Sequence, residues 1–157
     1  MYKRILVPLD GSPLAEAVIQ HLRPFVQAFD TEIILLEVLV EPVEAFATHE
    51  SLLAPSGFAR REIAEVTAYL KALCLKLEQE GLRASYLVRE GSVPETILDV
   101  AEFMQAEAIA MSTHGYSLTK LLLLGSVTYH VVRRSPLPVL VIRPDAVKEV
   151  SKHSSTA

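Results

Sequence analysis

The sequence predicts an α/β fold: an open, mostly parallel sheet of five strands with helices on both faces. The first observation is that five short apolar runs alternate with four stretches whose apolar residues repeat every three or four positions. The second is the size and hydrophobicity of the chain, since 157 residues, half of them hydrophobic, fit one domain with a sizeable core. Such alternation is typical of a parallel sheet whose strands are connected by helices.

The first strand and helix are marked at the start of the chain. A short apolar run, Ile5 to Leu9, is closed by Asp10-Gly11 and is typical of a buried strand. Ser12 and Pro13 then supply a helix N-cap and a proline at the first helical position. The helix that they begin has one apolar face: Leu14, Val18, Leu22, Phe25 and Phe29.

The middle of the chain predicts a second strand, a long loop, a second helix and a third strand. Ile33 to Val40 is apolar almost throughout, which indicates burial on both faces of the sheet. Residues 41–57 contain two prolines and a glycine without a sustained period, so we expect the longest loop there. The helical repeat resumes from Ile63 to Leu77, and Ala84 to Val88 is the third buried strand, with its exit turn at Gly91-Ser92.

The last third of the chain completes the pattern. A shorter helix begins at Pro94, and a fourth buried strand is expected from Ala106 to Met111. A helix over 127–134 and a fifth buried strand from Pro138 to Ile142 follow. We expect one domain over residues 1–145. The polar, serine-rich residues 146–157 are predicted to form a tail.

Composition and charge narrow the possible partners. Lys and Arg total 15 against 19 Asp and Glu, which gives a net charge of −4. This balance argues against nucleic acid or an anionic membrane surface as a partner, and no run is long and apolar enough to span a bilayer. The single cysteine, Cys74, cannot form an internal disulfide. We therefore expect a cytoplasmic protein in which Cys74 is a small buried hydrophobic residue.

The most informative stretch for function is the loop before the fourth helix, residues 112–126. It begins Ser112-Thr113-His114-Gly115 and ends at Gly125-Ser126. Glycines let the backbone approach a ligand, and the first turn of a helix offers free N–H groups to an anion. Ligands of such folds lie beyond the carboxyl ends of the strands, so we expect this loop to face residues 8–12 and 38–42. A polyphosphate, and hence a nucleotide, is the leading hypothesis.

Three motifs, in this order along the chain, resemble the universal stress protein family. They are Pro8-Leu9-Asp10-Gly11-Ser12, the Ser-Thr-His-Gly, nine residues, Gly-Ser of the loop 112–126, and the closing Pro136 to Arg143. The similarity runs across roughly residues 2–144. It implies a Rossmann-like fold of the adenine nucleotide alpha hydrolase-like type.

The nucleotide-binding branch of that family has the pattern Gly, two residues, Gly, nine residues, Gly, then Ser or Thr. Gly115, Gly125 and Ser126 match this pattern at the required spacing. Two positions depart from it: Ser112 replaces the first glycine, and Tyr116 stands where many relatives carry a basic residue. Serine is small, so the first departure is compatible with a ligand close to the backbone.

The resemblance implies an ATP site, with Mg²⁺ as a companion of the phosphates. The triphosphate is expected along the loop 112–126, and the base near Asp10 and Val38. The residues so implied are Pro8, Asp10, Val38, Met111, Thr113, Gly115, Ser117, Gly125, Ser126 and Val127. Two simpler roles stay open, because Asp10 could cap its turn with Ser12, and Ser126 could be the N-cap of the helix over 127–134.

The sequence contains no recognisable motif for a catalytic group or a metal site. His114 has no Ser/His/Asp or Cys/His arrangement around it, and the other histidines lack the spacing of metal ligands. The leading function is therefore a nucleotide-dependent switch or stress-response binding module with little or no hydrolysis. The alternatives are a dimeric interaction module that binds no nucleotide, and a slow ATP hydrolase.

The fifth strand predicts a self-association surface. Pro138 to Ile142 is apolar, lies among prolines and is expected at an edge of the sheet. An exposed apolar edge is a liability unless a partner covers it, so we expect a homodimer through Pro138 to Arg143. The family resemblance implies the same pairing.

Overall fold

The computed structural model describes residues 2–40, 55–113 and 124–143, with residues 55–62 described as backbone. The chain alternates strictly between strands and helices in these ranges. The elements are β1 (Arg4–Leu9), α1 (Pro13–Phe29), β2 (Glu32–Leu39), α2 (Pro55–Gln79), β3 (Arg83–Glu90), α3 (Val93–Phe103), β4 (Ala108–Ser112), α4 (Ser126–Arg134) and β5 (Val139–Ile142).

The five strands form one sheet in the order β3-β2-β1-β4-β5, and all four pairings are parallel. The predicted five-stranded α/β fold is thereby confirmed. The chain first builds outward from β1 to β3 and then returns to the other side of β1 with β4. The strand order therefore reverses between β1 and β4, which is the place where open α/β sheets bind ligands.

Alternate residues of the strands pack into two separate hydrophobic cores, one on each face of the sheet. On one face, Ile5 and Val7 of β1 pack with α1 and α2. On the other face, Leu6 of β1 packs with α3 and α4. Because helices cover both faces, residues 33–36 of β2 are fully buried, which explains their unbroken apolar run. Cys74 lies in the first of these cores, as the sequence predicted.

Local signals set the helix ends. The Ser12 hydroxyl accepts the N–H of Ala15 at 3.2 Å, which confirms the predicted N-cap of α1. Helix α2 ends before Gly81, whose φ of +81° is readily adopted only by a residue without a Cβ. No helix in the described ranges is long and apolar enough to cross a membrane.

Three expectations are corrected by the structure. The loop predicted over 41–57 extends too far, because residues 55–57 belong to α2. This helix begins at Pro55, and a proline suits the first turn of a helix. The fourth strand begins at Ala108 and not at Ala106, whose N–H instead bonds to the carbonyl of Ala101 and closes α3. The third and fifth strands are not buried on both faces, because β3 and β5 form the two edges of the sheet.

Candidate functional site

The carboxyl end of β1 places Asp10 at the reversal of strand order. Its Oδ1 accepts the N–H of Ser12 at 3.0 Å, so the turn-capping role is present in the structure. Gly11 between them has a φ of +75°, which requires a residue tolerant of the left-handed region. Asp10 is exposed, and Pro8 lies within β1 opposite Leu36 of β2. The turn thus presents a carboxylate at the edge of the sheet where a ligand is expected.

The residues at the carboxyl end of β4 make one hydrogen bond to β5 and two to the start of α4. The N–H of Thr113 donates to the carbonyl of Ile142 at 2.9 Å, and its own carbonyl accepts from the N–H of Gly125 at 2.7 Å. The Thr128 hydroxyl donates to the carbonyl of Ser112 at 2.9 Å. These bonds hold the first turn of α4 beside β4. Since the side chains of Ser112 and Thr113 are buried, a ligand at this edge meets mainly backbone.

The N-cap of α4 is Gly125, and Ser126 is the first residue of the helix. The suggested N-cap role of Ser126 is therefore wrong. A glycine has no side chain to cap the helix, so no capping hydrogen bond is made there. Gly125 has a φ of −63°, which any residue can adopt, so its conformation does not demand glycine. A glycine at an uncapped helix start suits the close approach of an anion.

A cavity of about 590 Å³ lies between the N-terminal turns of α3 and α4, and we call it the α3–α4 cavity. Its walls combine aliphatic side chains with three polar ones, and its size falls in the range of small-ligand sites. The lining residues are Val40, Gly91, Ser92, Val93, Pro94, Ser126, Val127 and His130. Two residues implied by the sequence, Ser126 and Val127, are thus brought to one concave surface.

Glu95 of α3 organises the polar side of this cavity. The Ser92 hydroxyl donates to its carboxylate, and so does not cap the helix. His130 Nε2 lies 3.1 Å from Glu95 Oε1, and Arg134 Nη1 lies 3.4 Å from the same oxygen. The hydrogen bond from Ser92, aided by the charges of His130 and Arg134, lowers the pKa of Glu95. An ionised carboxylate therefore holds the imidazole against the wall of the α3–α4 cavity.

The other face of the sheet carries a group of acidic side chains close to Asp10. Burial, and then the charge of Asp10, raise the pKa of Glu37 in β2. The Tyr69 hydroxyl of α2 donates to Glu16 Oε1 at 2.7 Å, and burial followed by this bond raises the pKa of Tyr69. Sequence reasoning missed Glu37, although a lone charge within the apolar run of β2 was a signal for it.

The remaining residues of the proposed site divide into two groups. Val38 is half-buried against the core beneath α3 and α4, and Met111 is buried in the same core. Gly115 and Ser117 lie outside the described residues. The structure thus brings Val38 and Met111 to the α3–α4 side of the sheet. Within the described ranges, no group of three or more His, Cys, Asp and Glu side chains could hold a metal ion.

Strand β5 forms an edge of the sheet, as the sequence predicted. Its residue Leu140 is 50% exposed and lines an apolar groove of about 370 Å³ on the α1 side of the sheet. Tyr2 and Phe25 form part of the opposite wall of this groove. The edge therefore combines backbone groups available for pairing with an apolar side chain.

Comparison with known proteins agrees with this geometry. The model of the universal stress protein family matches residues 1–143. Universal stress protein MJ0577 of Methanocaldococcus jannaschii is 32% identical over 155 residues, which cover 91% of this chain and 96% of that protein. The solved structure of MJ0577 has a TM-score of 0.78 at 31% identity, and the match covers 91% of this chain and 96% of that one.

Two further solved structures share the fold at lower identity. A universal stress protein in complex with cAMP has a TM-score of 0.65 at 19% identity, covering 91% of this chain and 98% of that one. A universal stress protein family protein from Arabidopsis thaliana with AMP bound has a TM-score of 0.66 at 18% identity, covering 93% and 94%. At these identities the likeness concerns the fold alone.

Proposed function

Because this chain belongs to the universal stress protein family, we propose that it binds ATP with Mg²⁺ at the carboxyl edge of its sheet. The observation that carries the proposal is the α3–α4 cavity beside the uncapped start of α4, next to the reversal of strand order. Two proteins of the same fold bind AMP and cAMP, which supports an adenine nucleotide as the ligand class.

The proposed site assigns the two ends of the nucleotide to different elements. The phosphates lie against Gly125 and accept the N–H groups of Ser126 and Val127 at the start of α4, together with those of Gly115 and Ser117. The nucleoside lies between the end of β1 and the end of β2, near Asp10 and Val38. Pro8, Met111 and Thr113 complete this side. Mg²⁺ is held by the phosphates and water, which is how this ion commonly binds with nucleotides.

We propose that the bound nucleotide acts as a switch signal and is hydrolysed slowly if at all. The described lining of the α3–α4 cavity contains one titratable side chain, His130, and this imidazole contacts Glu95. The described lining gives this imidazole no second acid or base with which to share the proton transfers of hydrolysis. A steady-state phosphate-release assay tests this part, and turnover of several per second, on the order of ordinary enzyme rates, would make the protein a hydrolase.

We also propose that the functional unit is a homodimer joined through Pro138 to Arg143. A dimeric interaction module that binds no nucleotide is the second candidate function. The exposed Leu140 on the edge strand favours it, because self-association needs no ligand.

Calorimetric titration with ATP and Mg²⁺ separates these functions. We expect saturable binding by the wild type, and loss of roughly tenfold or more in affinity for Gly125→Leu, because its side chain fills the space in front of α4. Gly125→Ala is the graded control, with a smaller loss. The φ of Gly125 is compatible with either side chain, so both variants should fold, with a similar small loss of stability because Ala and Leu are poorer N-cap residues than glycine. Absence of wild-type binding at millimolar ATP would leave the interaction module as the function.

A further inference from the structure

We propose that Glu37 is a specificity-determining residue of the nucleotide site, whose carboxyl accepts a hydrogen bond from the 2′-hydroxyl of the bound ribose. The site thereby prefers ribonucleotides to 2′-deoxyribonucleotides. This inference rests on the proposed function, because it concerns the sugar of the bound nucleotide. It deepens that function by assigning the choice of sugar to a residue of β2 that lies outside the motifs at 8–12 and 112–126.

The order of the strands places the parts of a nucleotide over neighbouring strands. β4, β1 and β2 lie side by side in the sheet, and neighbouring strands are about 4.8 Å apart. With the phosphates at the start of α4, beside β4, the ribose reaches the end of β1 and the base extends toward the end of β2. A carboxyl that lies between the ends of β1 and β2 is therefore beside the sugar.

Glu37 is the residue that supplies such a carboxyl. It pairs with Leu9 of β1 in the sheet register, and Leu9 directly precedes Asp10. Burial, and then the charge of Asp10, raise the pKa of Glu37, and the second of these causes requires that the two carboxyls lie close together. Asp10 is exposed at the carboxyl edge of the sheet, so Glu37 borders the place that the proposed function gives to the nucleoside.

The carboxyl of Glu37 lacks the hydrogen bonds that a group of this kind normally makes. Within the described residues neither of its oxygens accepts a hydrogen bond, and Oε2 is also shielded from solvent. The side chain as a whole is half-buried, so the oxygen that a ligand can meet is Oε1. A partly buried acceptor without a donor is unfavourable, so a ligand that supplies a donor at this point is bound more tightly.

A ribose provides the donor that the neighbouring phenol does not. The Tyr69 hydroxyl donates to Glu16 Oε1 at 2.7 Å and is therefore not available to Glu37. A ribose 2′-hydroxyl can donate, and a carboxyl oxygen can accept in either protonation state. In sheets that bind dinucleotides, an acidic residue beyond the glycine motif binds the ribose 2′-hydroxyl in this way. A 2′-deoxyribose has no such hydroxyl and leaves the oxygen covered by ligand without a donor.

The test is the ratio of affinities for ATP and 2′-deoxyATP, each titrated with Mg²⁺ by calorimetry. We expect the wild type to prefer ATP by roughly tenfold, the usual effect of leaving a partly buried acceptor without its donor. Glu37→Met replaces the carboxyl by an unbranched apolar chain without an acceptor oxygen, so it should bring the ratio close to one. Glu37→Gln keeps one acceptor oxygen and should give an intermediate ratio.

A neighbouring hydroxyl provides the matched control. Tyr69→Phe removes a hydroxyl from the α1–α2 face of the sheet and leaves Glu37 in place, so its ratio should equal that of the wild type. Glu37→Gln has the shape of the native side chain, so it reports even where Glu37→Met fails to fold.

The outcomes separate this inference from the proposed function. ATP binding by the Glu37 variants with the wild-type ratio would overturn the inference and leave the proposed function standing. Equal affinity of the wild type for ATP and 2′-deoxyATP would have the same meaning. Absence of ATP binding by the wild type would overturn both.

Discussion

At the scale of single residues, Glu37 makes the fold sensitive to pH. Its carboxyl is half-buried in β2, and one of its oxygens is shielded without a hydrogen-bond partner among the described residues. Burial and the neighbouring charge of Asp10 raise its pKa in the folded state above the ordinary value of 4.5. The folded protein therefore keeps this proton when the unfolded chain has already lost it, so ionisation of Glu37 opposes folding.

This coupling predicts the pH dependence of a Glu37→Gln variant. The contribution of Glu37 to stability is greatest below pH 4.5 and is lost as the pH rises through its raised folded-state pKa. The free energy of unfolding of Glu37→Gln, relative to wild type, should thus increase as the pH is raised over this window. Urea unfolding at a series of pH values measures the difference. Glu65→Gln, at an exposed position of α2, is the control, and a flat difference for Glu37→Gln contradicts the prediction.

At the scale of elements, the two helix N-termini after β1 and β3 provide a matched pair. Ser12 is buried and its hydroxyl accepts the N–H of Ala15, whereas the Ser92 hydroxyl donates to Glu95. Ser12→Ala should therefore lower the free energy of unfolding by about 1 kcal/mol, the usual cost of a lost N-cap. Ser92→Ala should cost less, because no backbone N–H loses a partner. Equal losses in urea unfolding would show that the two serines are equivalent.

The same elements show which parts of the structure could be predicted from sequence patterns. Apolar runs and capping signals predicted the nine elements of the described residues, because burial on both faces and the chemistry of helix starts depend on residues that are close together in the sequence. The start of α2 was missed, since Pro55 is compatible with either a loop or a first helical turn. The contact of Glu95 with His130 was also missed. It joins α3 to α4 across 35 residues, and no local pattern encodes such a pairing.

At the scale of the whole molecule, the sheet order places β5 at an edge, beside a groove that is open among the described residues. Helices α1 and α2 both cross from β1 toward β3 on one face, so the far edge at β5 lies beside an apolar groove on that face. Half of the Leu140 surface is exposed there. An edge strand with free backbone groups and an apolar neighbour is suited to pairing with an identical strand around a twofold axis.

Leu140→Arg should therefore weaken the proposed homodimer. A guanidinium at the centre of the pairing edge loses water on association without a partner charge, so we expect the dissociation constant to rise by roughly tenfold or more. Light scattering coupled to size-exclusion chromatography measures the change in mass. Phe103→Lys is the matched control, because this side chain is 72% exposed at the end of α3 and does not line the groove beside β5, so the mass should stay unchanged. A Leu140→Arg protein with the same mass as wild type would place self-association on another surface.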